Sequence, residues 1–126
     1  MKLQPDKSDV PSISGYGPGW IAVDGERIQH SVVISSSGHR MDWKCSSFSE
    51  LTPGHFSALA EIDAELVIFG SGDRIRFPAS AWLAPLMARR TGLETMDTKA
   101  ACRTYNILSG EGRKVVAALL IEIAPR

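Results

Sequence analysis

Glu65-Leu66-Val67-Ile68-Phe69-Gly70-Ser71-Gly72 decides how the rest of the chain is organised. A short, near-continuous apolar run that stops at Gly-Ser-Gly is the pattern of a strand covered on both faces. Upstream, Thr52-Pro53 marks a helix start, a capping hydroxyl followed by proline at the first helical position. Phe56, Leu59, Ala60 and Asp63 follow it at helical spacing. Downstream, a second helix is expected after Phe77-Pro78. Trp82, Leu83, Leu86 and Met87 form its apolar stripe, Arg89-Arg90 lie near its carboxyl end and Gly92 stops it. Pro85 removes one backbone donor there, which predicts a late start or a kink. Leu93 to Met96 is a short strand, and Asp97 caps a third helix that runs to about Gly110 and buries Ala101, Tyr105 and Leu108. Lys114 to Ala124, centred on Val115–Ile121, is the last strand, and its apolar faces favour a central place in the sheet over an edge.

The first third has a different texture. Residues 1–12 are polar, contain Pro5 and Pro11, and are expected to form a flexible arm. Gly15-Tyr16-Gly17-Pro18-Gly19-Trp20 reads as a bend of unusual shape. Trp20 to Val23, then Asp24-Gly25, then Glu26 to Ser35 predicts a hairpin, because Asp-Gly supplies the positive φ angles of a tight turn. On its second arm Ile28, His30 and Val32 face one way and Val33 the other. Ser35-Ser36-Ser37-Gly38 is a turn, and His39 to Lys44 a third short strand. The expected architecture is therefore a three-layer α/β domain over residues 13–126. It has a mixed, mostly parallel central sheet flanked by helices, plus an N-terminal antiparallel β-rich flap.

At 126 residues the chain is one domain, and 44% hydrophobic with 22% charged residues is a globular composition. Fourteen Lys and Arg balance fourteen Asp and Glu, so no overall field draws nucleic acid or an anionic membrane surface. No apolar run approaches the roughly 18 residues of a membrane-spanning helix. The amino terminus lacks the apolar core of a signal peptide, and its aspartates and missing arginine argue against a mitochondrial presequence. A cytoplasmic location is the resulting expectation. Cys45 and Cys102, far apart and outside any CxxC, read as reduced thiols.

Four segments carry candidate chemistry. The strand running into Gly70-Ser71-Gly72 is either a tight turn with positive-φ glycines or a small-anion site built from backbone N–H groups. A dinucleotide fingerprint is incomplete there, since Ile75 stands where its third glycine belongs. Asp97 and Thr98 open the third helix, and a parallel sheet would bring them to the same carboxyl edge as the glycine turn. Arg103, on that helix's second turn, is either an anion-holding guanidinium or a partner for a carboxylate. Cys102, flanked by alanines, is a small core residue or a helix-start thiol. His30, His39 and His55 lack the spacing of a metal site, no Gly-x-Ser-x-Gly elbow is present, and Glu61, Asp63 and Glu65 straddle a helix end facing water. In the Gly15–Trp20 bend, Tyr16 and Trp20 either pack on the body or form a partner surface. No metal, cofactor or catalytic residue is assigned.

Taken together and in order, Ile13-Ser14-Gly15-Tyr16-Gly17-Pro18-Gly19-Trp20-Ile21, Leu51-Thr52-Pro53 with His55-Phe56, Glu65–Gly72, and Met96-Asp97-Thr98 with Ala100–Asn106 resemble the MTH domain family. This is a group of uncharacterised bacterial proteins related to mitochondrial complex I assembly factor 3 and the adipogenesis-associated MTH domain protein. The resemblance implies a three-layer α/β fold with a mixed sheet and a β-rich flap; no enzymatic activity or required cofactor is established for the family as a whole, and its mitochondrial relatives work as accessory proteins rather than catalysts. Two functional expectations follow. The first is a non-catalytic accessory or binding protein, an assembly factor for a respiratory or membrane complex, with protein partners meeting Tyr16 and Trp20. The alternative is a binder of a small anionic metabolite, or an enzyme, using the cleft between Gly70–Gly72 and the Asp97 helix with Thr98 and Arg103.

Overall fold

Two sheets share the chain in the computed structural model, which describes residues 10–123. The smaller is antiparallel and takes β1 (Ile13–Gly17), β2 (Trp20–Val23) and β3 (Glu26–Ile28) in that order. The larger is built from β4 (Val32–Ser35), β5 (Arg40–Asp42), β6 (Leu66–Gly70), β7 (Gly92–Met96) and β8 (Val115–Leu119), ordered β5-β4-β8-β6-β7. Its helices are α1 (Pro53–Leu59), α2 (Ala84–Ala88) and α3 (Thr98–Gly110), with 3-10 turns at Phe48–Glu50 and Ser80–Leu83. β8 and β7 run parallel to β6, β4 runs against β8, and β5 runs against β4. Only β4 therefore opposes the common direction.

The apolar runs are apolar because both sheet faces are covered. Ile68, Val115, Ala117 and Leu119 face a core shared with α3 and the small sheet through Ala101, Tyr105, Ile21, Val23 and Ile28. Val67, Phe69, Val116, Ala118 and Leu120 face the opposite core, where Phe56, Leu59 and Leu86 pack. The layers are thus small sheet with α3, central sheet, then α1 with α2, as the alternation of helix and strand predicts. Burial of each large side chain stabilises the fold by about 1.5–3 kcal/mol relative to leaving it in water. β8 lies inside the sheet, as its pattern favours, and ends at Leu119; Ala124 falls outside the described residues.

Several local expectations are corrected. Glu26 to Ser35 is not one hairpin arm: β3 stays in the small sheet and β4 enters the large one. The chain changes sheets at Gln29-His30-Ser31, where the Ser31 hydroxyl accepts the Ile121 N–H at 2.8 Å and its carbonyl accepts the Trp43 N–H at 3.0 Å. Asp24 and Gly25 do form the tight turn, with φ of 50° and 87°. The Gly15–Trp20 bend is the end of the β1–β2 hairpin, with Gly17 opposite Trp20 and Pro18-Gly19 as its turn, and the register of that hairpin shifts between Ile13 and Gly15. Gly92 does not stop the second helix but opens β7; Arg90, at φ 57°, takes the left-handed position instead. That helix begins as a 3-10 turn and continues with Pro85 in its first α turn, as the missing donor requires. Met87 leaves the predicted stripe and is exposed. α1 stops before Asp63, which pairs with Lys114. Of the predicted arm, residues 1–9 lie outside the described residues. Pro11 is buried, and its carbonyl accepts the Tyr105 hydroxyl at 2.8 Å.

Candidate functional site

The carboxyl ends of β6, β7 and β8 converge with the tip of the β1–β2 hairpin around a groove of about 360 Å³. Gly72 and Asp73 approach it from the loop after β6, Asp97 to Lys99 from the start of α3, Leu120 to Glu122 from the end of β8, and Tyr16 to Ile21 from the hairpin. Two separate candidate segments of the sequence, the glycine turn and the aromatic bend, are therefore walls of one groove.

The junction below the groove is stitched by short polar side chains. The Asp97 carboxylate accepts the Ala100 N–H at 2.9 Å and caps α3. Thr98 donates its hydroxyl to the Leu120 carbonyl at 2.8 Å and accepts the Gly72 N–H at 2.9 Å; its own N–H goes to the Gly72 carbonyl at 2.8 Å. Ser71 is fully buried: its N–H binds the Met96 carbonyl at 2.9 Å and its hydroxyl binds the Arg74 carbonyl at 2.8 Å. The Ser71 and Gly72 amides are thus spent inside the molecule. Gly70 has no room for a side chain, because a Cβ would lie 3.0 Å from Thr98 Cα and from Ala101 Cβ. Gly72, at φ 101°, uses the freedom of glycine to turn the chain beside Arg76 and Glu122.

Arg76 closes this loop. Its guanidinium binds Glu122 and the Ser71 carbonyl and stands 4.8 Å from the Phe48 ring centroid, while Glu122 also accepts the Phe48 N–H at 2.7 Å. Asp73 and Lys99 are the exposed charges of the groove, so with Asp97 and Glu122 its walls carry more carboxylates than amines.

Arg103 is not one of the groove's lining residues. Its guanidinium donates to the Tyr16 hydroxyl at 2.9 Å, a bond that also pushes its pKa upward. Tyr16 and Trp20 lie on opposite faces of the small sheet. Tyr16 is paired with buried Ile21 and packs inward, whereas Trp20 spreads outward over Gly17 and Gly15. Arg27 sits on the Trp20 ring, 3.9 Å from the centroid. Gly15 and Gly17 keep a flat bed for the indole, a role visible in their alternation opposite a tryptophan.

The remaining reactive groups are dispersed. Cys102 is buried beneath α3, and desolvation pushes its thiol up to about 12. Burial also raises Cys45, whose Sγ donates to the Ser47 carbonyl at 3.0 Å. His55 sits at the start of α1, its Nδ1 3.0 Å from the Thr52 N–H and its Nε2 2.8 Å from the Lys44 carbonyl, while His30 faces Asp42 and His39 the serine turn. No group of His, Cys, Asp or Glu among the described residues could hold a metal ion, and no described helix is long and apolar enough to cross a membrane.

The profile of the family described as "Protein of unknown function (DUF498/DUF598)" matches residues 13–120, from the first residue of β1 to just past β8. The chain belongs to this family. A human relative, NADH dehydrogenase (ubiquinone) 1 alpha subcomplex assembly factor 3, is 32% identical over 127 residues, covering 94% of this chain and 65% of its own length. An uncharacterized protein of Rhodobacter capsulatus is 32% identical over 117 residues, covering 93% of this chain and 90% of that one. A crystal structure from Bordetella parapertussis superposes with a TM-score of 0.85 at 34% identity, over 94% of this chain and 100% of that chain. A Mth938-like domain from Bordetella pertussis gives 0.81 at 30% identity, over 98% and 94%. This DUF498 chain thus spans about two-thirds of the length of the human relative, which has further residues of its own.

Proposed function

We propose that this DUF498 chain is a non-catalytic accessory protein that docks on components of a respiratory or membrane complex while that complex is assembled. The observation that carries this reading is the 32% identity to the human assembly factor across 94% of the chain. The groove fits a docking role. Its hairpin wall presents Trp20, a large aromatic held on a glycine bed and under Arg27, and rigid aromatics are favoured interface anchors. Tyr16 supports that wall from behind through Arg103. Trp20→Ala is expected to lose co-sedimentation with the assembling complex while the circular dichroism melt stays cooperative. Co-sedimentation equal to the parent protein would contradict the proposed surface.

A second reading keeps a small anionic metabolite in the groove, held by exposed Lys99 on the first turn of α3 against the opposing field of Asp73, Asp97 and Glu122. It expects a thermal shift from some anionic metabolite that Lys99→Ala abolishes and Arg103→Ala preserves. A broad screen without a shift sinks it.

A further inference from the structure

Each sheet has two edges, and this molecule treats one of its four differently. On β1, the Asn106 side chain imitates a neighbouring strand, accepting the Ile13 N–H at 2.9 Å and donating to the Ile13 carbonyl at 2.8 Å. β3 and β5 are three residues each and are bridged by Arg40 and Glu26 at 3.0 Å; Asp42 on β5 also faces His30 at 3.6 Å. Short, charged and covered edges are the usual defences against unwanted strand pairing.

β7 has five residues, and its outer side has no such cover among the described residues. Gly92 donates to the Glu65 carbonyl at 3.0 Å and Met96 accepts the Ser71 N–H at 2.9 Å, which fixes Gly92, Glu94 and Met96 as the residues bonded towards β6. By the period of a strand, the N–H and C=O groups of Leu93 and Thr95 point outward. Beside this ladder Leu93 packs against the core under α2, which itself contacts β7 and carries exposed Met87. On the other face Glu94 is exposed.

We propose that β7 accepts an added strand from a partner protein: an extended segment, apolar on the side of Leu93 and Met87, with a Lys or Arg opposite Glu94. This deepens the accessory reading, on which it rests, by giving the partner a form. Main-chain bonds to Leu93 and Thr95 supply affinity, and the Glu94 pair supplies register. A second copy of this chain fits poorly, because the antiparallel register that uses all five residues sets Glu94 against its own equivalent.

The test uses the full chain with a photo-crosslinking residue in place of Met87, expressed in cells lacking the native copy, with cross-linked segments mapped by mass spectrometry. The expected product is a segment of alternating apolar residues with a Lys or Arg aligned to Glu94. Its yield should fall about tenfold in Thr95→Pro and in Glu94→Lys. Thr95→Pro removes an outward N–H that β6 does not use, and Glu94→Lys leaves the backbone alone should the proline variant fail to fold. Cross-links to a second copy, to this chain's own ends or to a helical segment overturn the proposal. So does an absent cross-link, or a yield unchanged in Glu94→Lys. A mapped strand from a protein outside respiratory or membrane complexes leaves the edge assignment standing and removes the assembly reading.

Discussion

A methyl group at position 70 would sit 3.0 Å from Ala101 Cβ and 3.1 Å from Leu119 Cδ2, with the Thr98 backbone equally close. Backbone cannot yield as a flexible side chain does, so Gly70→Ala should destabilise the protein by about 1–3 kcal/mol, read as a lower urea midpoint. Titration is set at the same scale. Burial raises Cys102 from 9.0 and Tyr105 from 10.0, each to about 12. Both groups bind their proton more tightly when folded, so their contribution to stability is complete below pH 9.0 and is lost as pH climbs towards about 12. Between neutral pH and that lower value these two groups leave urea midpoints flat, and above it midpoints should fall, with a shallower fall in Cys102→Ala. Equal slopes in the two proteins would contradict the assignment. The cap at Asp97 was legible because an acidic residue before a helical run has one common use. The direction of the Arg103 side chain was not legible, since it depends on Tyr16, 87 residues away.

Elements meet here through polar side chains that sequence patterns do not mark. Near-continuous apolar runs located β6 and β8, because burial on both faces imposes them, and helical spacing located α3. The alternation through Ile28, His30 and Val32 did not show the change of sheet, since period two describes a face and not which sheet owns it. Arg76 and Glu122 stand 46 residues apart, so no local spacing joins them. Arg90 held the left-handed turn that glycine is usually called on to make, which moved the start of β7 forward to Gly92. Asn106 is the clearest test at this scale. Asn106→Leu removes both bonds to the Ile13 backbone and should cost about 1–3 kcal/mol, with faster hydrogen exchange at the Ile13 amide. Protection unchanged from the parent would mean that something else seals β1.

For the molecule as a whole, the two cores and the groove divide the work. The cores cover both faces of β6 and β8, the stitched junction at Thr98 fixes the carboxyl edge, and the hairpin tip and the β7 edge are the surfaces proposed for other chains. Asp97→Ala belongs to this scale as well as to its helix, because it loosens the start of α3 beside the groove. It should lower stability by about 1 kcal/mol, measured by urea unfolding, and any larger loss would show that the cap also carries the junction. The measurement that bears most directly on the proposed accessory role is the amount of fully assembled respiratory and membrane complexes on native gels from cells whose copy of this chain has been deleted. A marked deficit in one of them with accumulated subassemblies is expected, restored by the parent chain and not by Trp20→Ala. Undiminished complexes in the deleted cells would contradict the proposal.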